Sequence, residues 1–181
     1  MTGPIKNIGV IGAGQMGCGI AHVSALAGYK VHIYDVSKDR IEAGLATING
    51  NLARQVSNGK LEDDARKSAL GLIGGSSDLN DLAAMDLVIE AATENEEVKR
   101  KIYAQVCPVL KPEALLATNT SSLSITRLAS ATDRPEQFMG IHFMNPVPVM
   151  KLVELVRGIA TGEKTFETAK DYVRSLDKAI T

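Results

Sequence analysis

The 181-residue sequence has no tryptophan, and its three phenylalanines and four tyrosines make aromatic residues only 4% of it. A packed interior must therefore be built on aliphatic side chains, which the 45% apolar content permits. Cysteine is scarce: Cys18 and Cys107 are the only two. They cannot form a disulfide framework and match no metal-ligand spacing, which fits a reducing compartment. An excess of charge is also missing, since 20 Lys and Arg face 21 Asp and Glu. That balance argues against a nucleic-acid partner or a charged membrane surface. No apolar window approaches a membrane-spanning length. The first strand opens at Ile5 with no basic leader or signal-peptide stretch before it. A soluble, cytoplasmic protein is expected, and a strand this close to Met1 argues against a fused upstream domain.

What the chain does have is an alternation of short apolar runs with helical patterns, the signature of a parallel sheet with crossover helices. Strands are expected at Ile5–Ile11, Val31–Tyr34, Asp86–Ala91, Leu115–Thr118, Met139–Met144 and Lys151–Val156. A first helix runs from Met16 to Ala27, with Gly28 placed to cap it. From Asp39 to Val56, apolar residues recur at Ile41, Leu45, Ile48, Leu52 and Val56, one stripe of a long helix. Asn58-Gly59 breaks it, and a second helix from Glu62 to Leu72 follows. This helical pair, at about 38–73, exceeds what a crossover needs and is expected to project from the sheet. Further helices are read at Asn95–Val106 and around Phe166, Ala169, Val173 and Leu176. Lys178-Ala179-Ile180-Thr181 begins like another strand and stops, so the sequence reads as truncated after one doubly wound α/β domain, 1–181.

Residues 11–21, IGAGQMGCGIA, place Gly12, Gly14 and Gly17 in the order G-x-G-x-x-G between a strand and a helix. Asp35 lies 18 residues beyond Gly17, at the end of the second strand. Each part has a physical task in a dinucleotide loop. Gly12 permits the tight turn, Gly14 lets a pyrophosphate approach the backbone, and Gly17 lets helix pack on strand. Free amides at the helix start face the phosphates, with Gln15 and Met16 beside them. Asp35 would accept the adenosine ribose hydroxyls and repel a 2′-phosphate, which favours NAD over NADP.

Two polar residues interrupt apolar strands: His142 in Met139–Met144 and Glu154 in Leu152–Val156. A buried glutamate needs a partner. A carboxylate on one imidazole nitrogen fixes the tautomer and makes the other nitrogen a better base. The competing reading is a satisfied core histidine and a solvent-facing glutamate, and residues alone do not separate the two. His22 and His32 read as structural. The turn Asn119-Thr120-Ser121-Ser122 follows a strand, where ligands gather in open α/β sheets. For Ser122 and Ser124, helix capping is the better reading. Asn145-Pro146 reads equally as a simple turn.

Taken together, IGAGQMGCGIA, ATENEEVKRKIY, TNTSSLSIT and HFMNPVPVMKLVELV resemble the 3-hydroxyacyl-CoA dehydrogenases over essentially the whole chain. The resemblance implies a Rossmann-like domain followed by a helical domain of roughly a hundred residues that contributes to a homodimer. It implies an acyl-CoA substrate such as 3-hydroxybutyryl-CoA or acetoacetyl-CoA, with NAD as cofactor and no metal. His142 would exchange the proton of the 3-hydroxyl, and Glu154 would hold and polarise it. Ser121 would bond the substrate oxygen, and Asn145 would position the reacting groups. Glu94 and Lys99 would line the NAD ribose and nicotinamide side, with Asn119 bordering the nicotinamide. Arg54 would contact a CoA phosphate. The second domain and a further family asparagine are absent from this chain, so turnover by the chain itself is open. The alternatives are a non-catalytic NAD-binding relative and a dehydrogenase of free β-hydroxyacids.

Overall fold

A computed structural model describes residues 4–181. The expectation drawn from Met1 lies outside them. Eight strands form one sheet: β1 (Asn7–Ile11), β2 (Lys30–Tyr34), β3 (Ile73–Ser76), β4 (Leu87–Glu90), β5 (Leu115–Thr118), β6 (Phe138–Phe143), β7 (Leu152–Arg157) and β8 (Ala179–Ile180). Their spatial order is β3-β2-β1-β4-β5-β6-β7-β8. All neighbours are parallel except β6 and β7. The central strands β4 and β5 are buried at every position, which is why they read as apolar runs, interrupted only by Glu90 and Thr118, rather than as alternations.

Helices cover both faces. On one lie α1 (Gln15–Leu26) and α6 (Glu163–Ser175), which add Ile20, Ala169 and Val173 to the core. On the other lie α4 (Glu96–Val106) and the short α5 (Ile125–Ala129), with Tyr103, Val106 and Leu128. From β1 the chain winds outward through β2 and β3, then returns to β4 on the opposite side of β1. This reversal opens a crevice at the carboxyl ends of β1 and β4, where ligands bind in such sheets.

The long helix is α2 (Lys38–Ser57), capped by the Ser37 hydroxyl, which accepts the Arg40 N–H. Its buried stripe is Ile41, Gly44, Ile48 and Leu52. Gly59, at φ +68°, turns the chain into α3 (Asp63–Leu72), whose first turn carries Asp63 and Asp64 at the positive end of the helix. The helical pair leaves the sheet edge and folds back along α1, with Cys18 Sγ 2.7 Å from where a Cβ on Gly44 would stand. β3 is a strand that the residue pattern did not announce. It contains Gly74 and Gly75, and a Cβ on Gly75 would meet Ile41 of α2 at 2.7 Å. Close helix cover, rather than strand propensity, selects glycine there.

Candidate active site

The glycine loop is built as its spacing requires. Gly12 sits at φ +108°, and a Cβ there would lie 2.8 Å from the Ala91 carbonyl oxygen. A Cβ on Gly17 would fall 1.8 Å from the Gly12 carbonyl oxygen, so α1 can press on the loop only with glycine at that position. Gly14, the residue capping α1, has open space where its Cβ would be. That clearance, above the unpaired amides of a helix start, suits a pyrophosphate. Asp35 is nearly buried, and its carboxylate accepts the Ala13 N–H at 3.0 Å and the Ser37 N–H at 3.0 Å. It joins the end of β2 to the loop and keeps lone pairs for further donors.

A cleft of about 400 Å³ opens over this loop, lined among others by Gly14, Gln15, Met16, Glu94, Asn119 and Ser121, with His142 and Asn145 closing it. Residues from the ends of β1, β4, β5 and β6 thus converge on one space. Register explains the acid–base pair: His142 on β6 stands directly opposite Glu154 on antiparallel β7. Nδ1 of His142 is 2.7 Å from Oε2 of Glu154. The ring lines the cleft while the carboxylate supports it from the neighbouring strand. Asn119 accepts the Phe143 N–H through Oδ1 at 2.9 Å, tying β5 to β6 beside His142.

Glu94 organises the polar turn. Its Oε1 accepts the Ser121 N–H at 2.7 Å and the Ser121 hydroxyl at 3.1 Å, while Oε2 accepts the Thr120 hydroxyl at 2.7 Å. Burial pushes the Glu94 carboxyl up, but these hydrogen bonds and the Lys99 charge hold it below the usual glutamate range. Ser124 caps α5 through the Arg127 N–H, as its position implied.

Two residues attributed to ligands stand away from the cleft. Lys99 is fully buried, and its ammonium donates to Glu90 Oε2 at 2.5 Å and to the Thr118 hydroxyl at 3.0 Å. Its charge is satisfied inside the protein rather than on the cleft lining. Arg54 is an exposed residue in the last turn of α2 and does not line the cleft.

Glu90 was not singled out from the sequence. It is fully buried and also accepts the Ala92 N–H, the Thr118 hydroxyl and the Tyr103 hydroxyl. The signal was present, a glutamate inside the apolar run Leu87–Ala91. Also unread was a second cavity of about 340 Å³ between α1 and α2, bounded by Gly14, Cys18, His22, Thr47, Asn51 and the Asn145–Pro148 turn. Gly14, Gln15 and Asn145 border both spaces, so the two cavities meet between the glycine loop and the Asn145 turn.

Residues 7–181 match the family described as "3-hydroxyacyl-CoA dehydrogenase, NAD binding domain". The chain is 62% identical over 180 residues to 3-hydroxybutyryl-CoA dehydrogenase of Bradyrhizobium diazoefficiens, covering 99% of this chain and 61% of that protein. Against the enzyme of the same name from Mycobacterium tuberculosis it is 45% identical over 177 residues, 97% of this chain and 62% of that one. The crystal structure of (S)-3-hydroxybutyryl-CoA dehydrogenase PaaH1 from Ralstonia eutropha superposes with a TM-score of 0.95 at 43% identity, covering 97% of this chain and 62% of that one. The chain spans about three fifths of the length of the relatives it matches. It belongs to the 3-hydroxyacyl-CoA dehydrogenase family and carries that family's NAD-binding domain.

Proposed function

We propose that the protein of which this domain is part interconverts an (S)-3-hydroxyacyl-CoA, such as 3-hydroxybutyryl-CoA, and the 3-oxoacyl-CoA, with NAD as hydride carrier. The observation that carries the reading is the His142–Glu154 pair opening onto the same cleft as the glycine loop. NAD fits the residues present: clearance over Gly14, free amides at the start of α1, and a carboxylate at the end of β2. Gly12 and Gly17 shape the loop from beneath, Gln15 and Met16 border it, and Asp35 takes the adenosine ribose. Glu94 and Asn119 flank the nicotinamide side. When bound, NAD accepts or returns the hydride at the carbon bearing the hydroxyl.

The chain's own residues handle the proton. With Nδ1 donating to Glu154, His142 presents Nε2 as the base that takes the 3-hydroxyl proton in oxidation and returns it in reduction. Glu154 balances the imidazolium formed in that step and holds the ring's orientation. Ser121 bonds the substrate oxygen, and Asn145 positions the reacting groups. The thioester arm enters the second cavity between α1 and α2. Arg54, three residues beyond Asn51, continues that helix face toward a CoA phosphate.

The relatives' extra length leads us to place a helical domain after this one in the whole cytoplasmic protein. That domain would cover the apolar strip of Val149, Met150, Leu152 and Val156 and pair two subunits. The deciding experiment follows NADH absorbance on addition of acetoacetyl-CoA, with free acetoacetate as the control. Turnover of the thioester, lost in His142→Ala, supports the reading. Activity on the free acid alone moves the protein to the other class of hydroxyacid dehydrogenase.

A further inference from the structure

Asn145 stands where the two cavities meet, yet its side chain has no hydrogen-bond partner among the described residues. Its placement is inherited from the backbone of residues 145–150, which lies outside any helix or strand. That backbone is held from two sides. On one side Val147, 2% exposed, docks onto α1. A Cβ on Gly19 would lie 2.7 Å from the Val147 Cβ, so glycine is what lets the turn sit this close. On the other side the Lys178 ammonium donates to the Val147 carbonyl at 2.8 Å and to the Met150 carbonyl at 2.6 Å.

Lys178 reaches the turn from the link between α6 and β8. That link is itself anchored: the Ala179 N–H donates to the Lys151 carbonyl at 2.9 Å, and the Lys151 ammonium meets Asp177 Oδ2 at 2.6 Å. An ammonium has three donors and no acceptor, so it can satisfy two carbonyls that point the same way. Hydrogen bonds from a charged donor are also the stronger kind. We infer that Lys178 is a positioning residue, whose grip on the Val147 and Met150 carbonyls sets where Asn145 stands between cofactor and substrate. Its effect on rate rests on the dehydrogenase reading. Its effect on Asn145 does not.

Two measurements test this. In the NADH-linked assay, Lys178→Met lowers kcat by about ten- to a hundredfold, the scale of a small misplacement of a reacting group, and leaves KM for NADH little changed. Lys178→Arg keeps donors for both carbonyls and restores most of the rate. The variant carrying both Lys178→Met and Asn145→Ala is no slower than Asn145→Ala alone, because one residue acts through the other. Multiplying effects, or wild-type kcat in Lys178→Met, overturn the inference. Independently of any substrate, the side-chain amide NMR signals of Asn145 shift in Lys178→Met while those of Asn119 hold. If the wild type does not turn over acyl-CoA, the functional reading fails and this spectrum alone decides: an unmoved Asn145 signal refutes the role of Lys178.

Discussion

His142 and Glu154 are directly opposed across the antiparallel pair β6–β7, with Nδ1 2.7 Å from Oε2. Because the contact comes from strand register rather than from a loop, it is present before any ligand arrives. Glu154→Gln keeps the shape and a hydrogen bond but loses the charge that, in the proposed mechanism, balances an imidazolium. A fall in kcat of about 10²-fold is expected for it, and about 10⁴-fold for His142→Ala, the range of general acid–base catalysis. NAD affinity should stay within a factor of about two in both, checked by fluorescence titration. A Glu154→Gln enzyme with wild-type kcat would show the carboxylate to be a bystander.

The three loop glycines are not equivalent, and substitution by alanine should separate them. At Gly17 the new Cβ would collide with the Gly12 carbonyl at 1.8 Å, so Gly17→Ala must move α1 and is expected to lose both stability and NAD binding. At Gly14 the Cβ meets only open space. Gly14→Ala should melt within a few degrees of the wild type and still bind NAD at least about tenfold more weakly, since the methyl occupies room meant for the phosphates. Thermal melts with and without NAD distinguish the two outcomes. Wild-type NAD affinity in Gly14→Ala would mean that the cofactor does not approach the backbone there.

The buried pair Glu90–Lys99 lies at the carboxyl end of β4, directly before the Ala91–Glu94 segment that lines the cleft. Lys99→Met strands a carboxylate in a fully buried place and is expected to destabilise the domain by about 3–5 kcal/mol. The double variant Glu90→Gln with Lys99→Met leaves no unpaired charge and should recover at least half of that loss. Urea unfolding of the three proteins measures it. If the double variant is as unstable as Lys99→Met, the penalty is lost packing rather than an unpaired charge.

This pair also marks how far the residues could be read before folding. The glycine loop, Asp35 and the alternation of strands with helices were legible because each has a local spacing rule. That His142 meets Glu154 was legible only as one of two readings, since antiparallel register is not written in either strand alone. The rule that a glutamate in an apolar run needs a partner was applied to Glu154, whose side chain is 43% exposed, and passed over Glu90, which is fully buried. Runs alone do not distinguish a central strand from one near the edge. Lys99 was drawn to the cofactor by resemblance, and what its ammonium meets depends on a carboxylate nine residues earlier. The second cavity forms where α1, α2 and the Asn145 turn come together, a meeting that no single segment announces.

His22 gives a pH test of the fold. It is 1% exposed, and its Nε2 meets the Gln55 side-chain oxygen at 3.1 Å. Burial pushes its pKa down, the Gln55 hydrogen bond opposes this, and the Lys178 charge adds to the lowering. His32 is also lowered by burial, with Asp81 opposing. In the unfolded chain both titrate near about 6.5. As pH falls below that value, the unfolded state binds protons that the folded state refuses. Their stabilising contribution is therefore complete above about 6.5 and is lost as pH drops toward the folded values. Urea unfolding from pH 8 to pH 5 should show stability falling on the acid side, with a limiting slope of about 1.4 kcal/mol per pH unit for each histidine. His22→Gln should make that slope shallower and leave the His32 share, whatever it does to stability at pH 8. An unchanged slope in His22→Gln would mean that His22 takes up its proton in the folded protein as readily as in the unfolded chain.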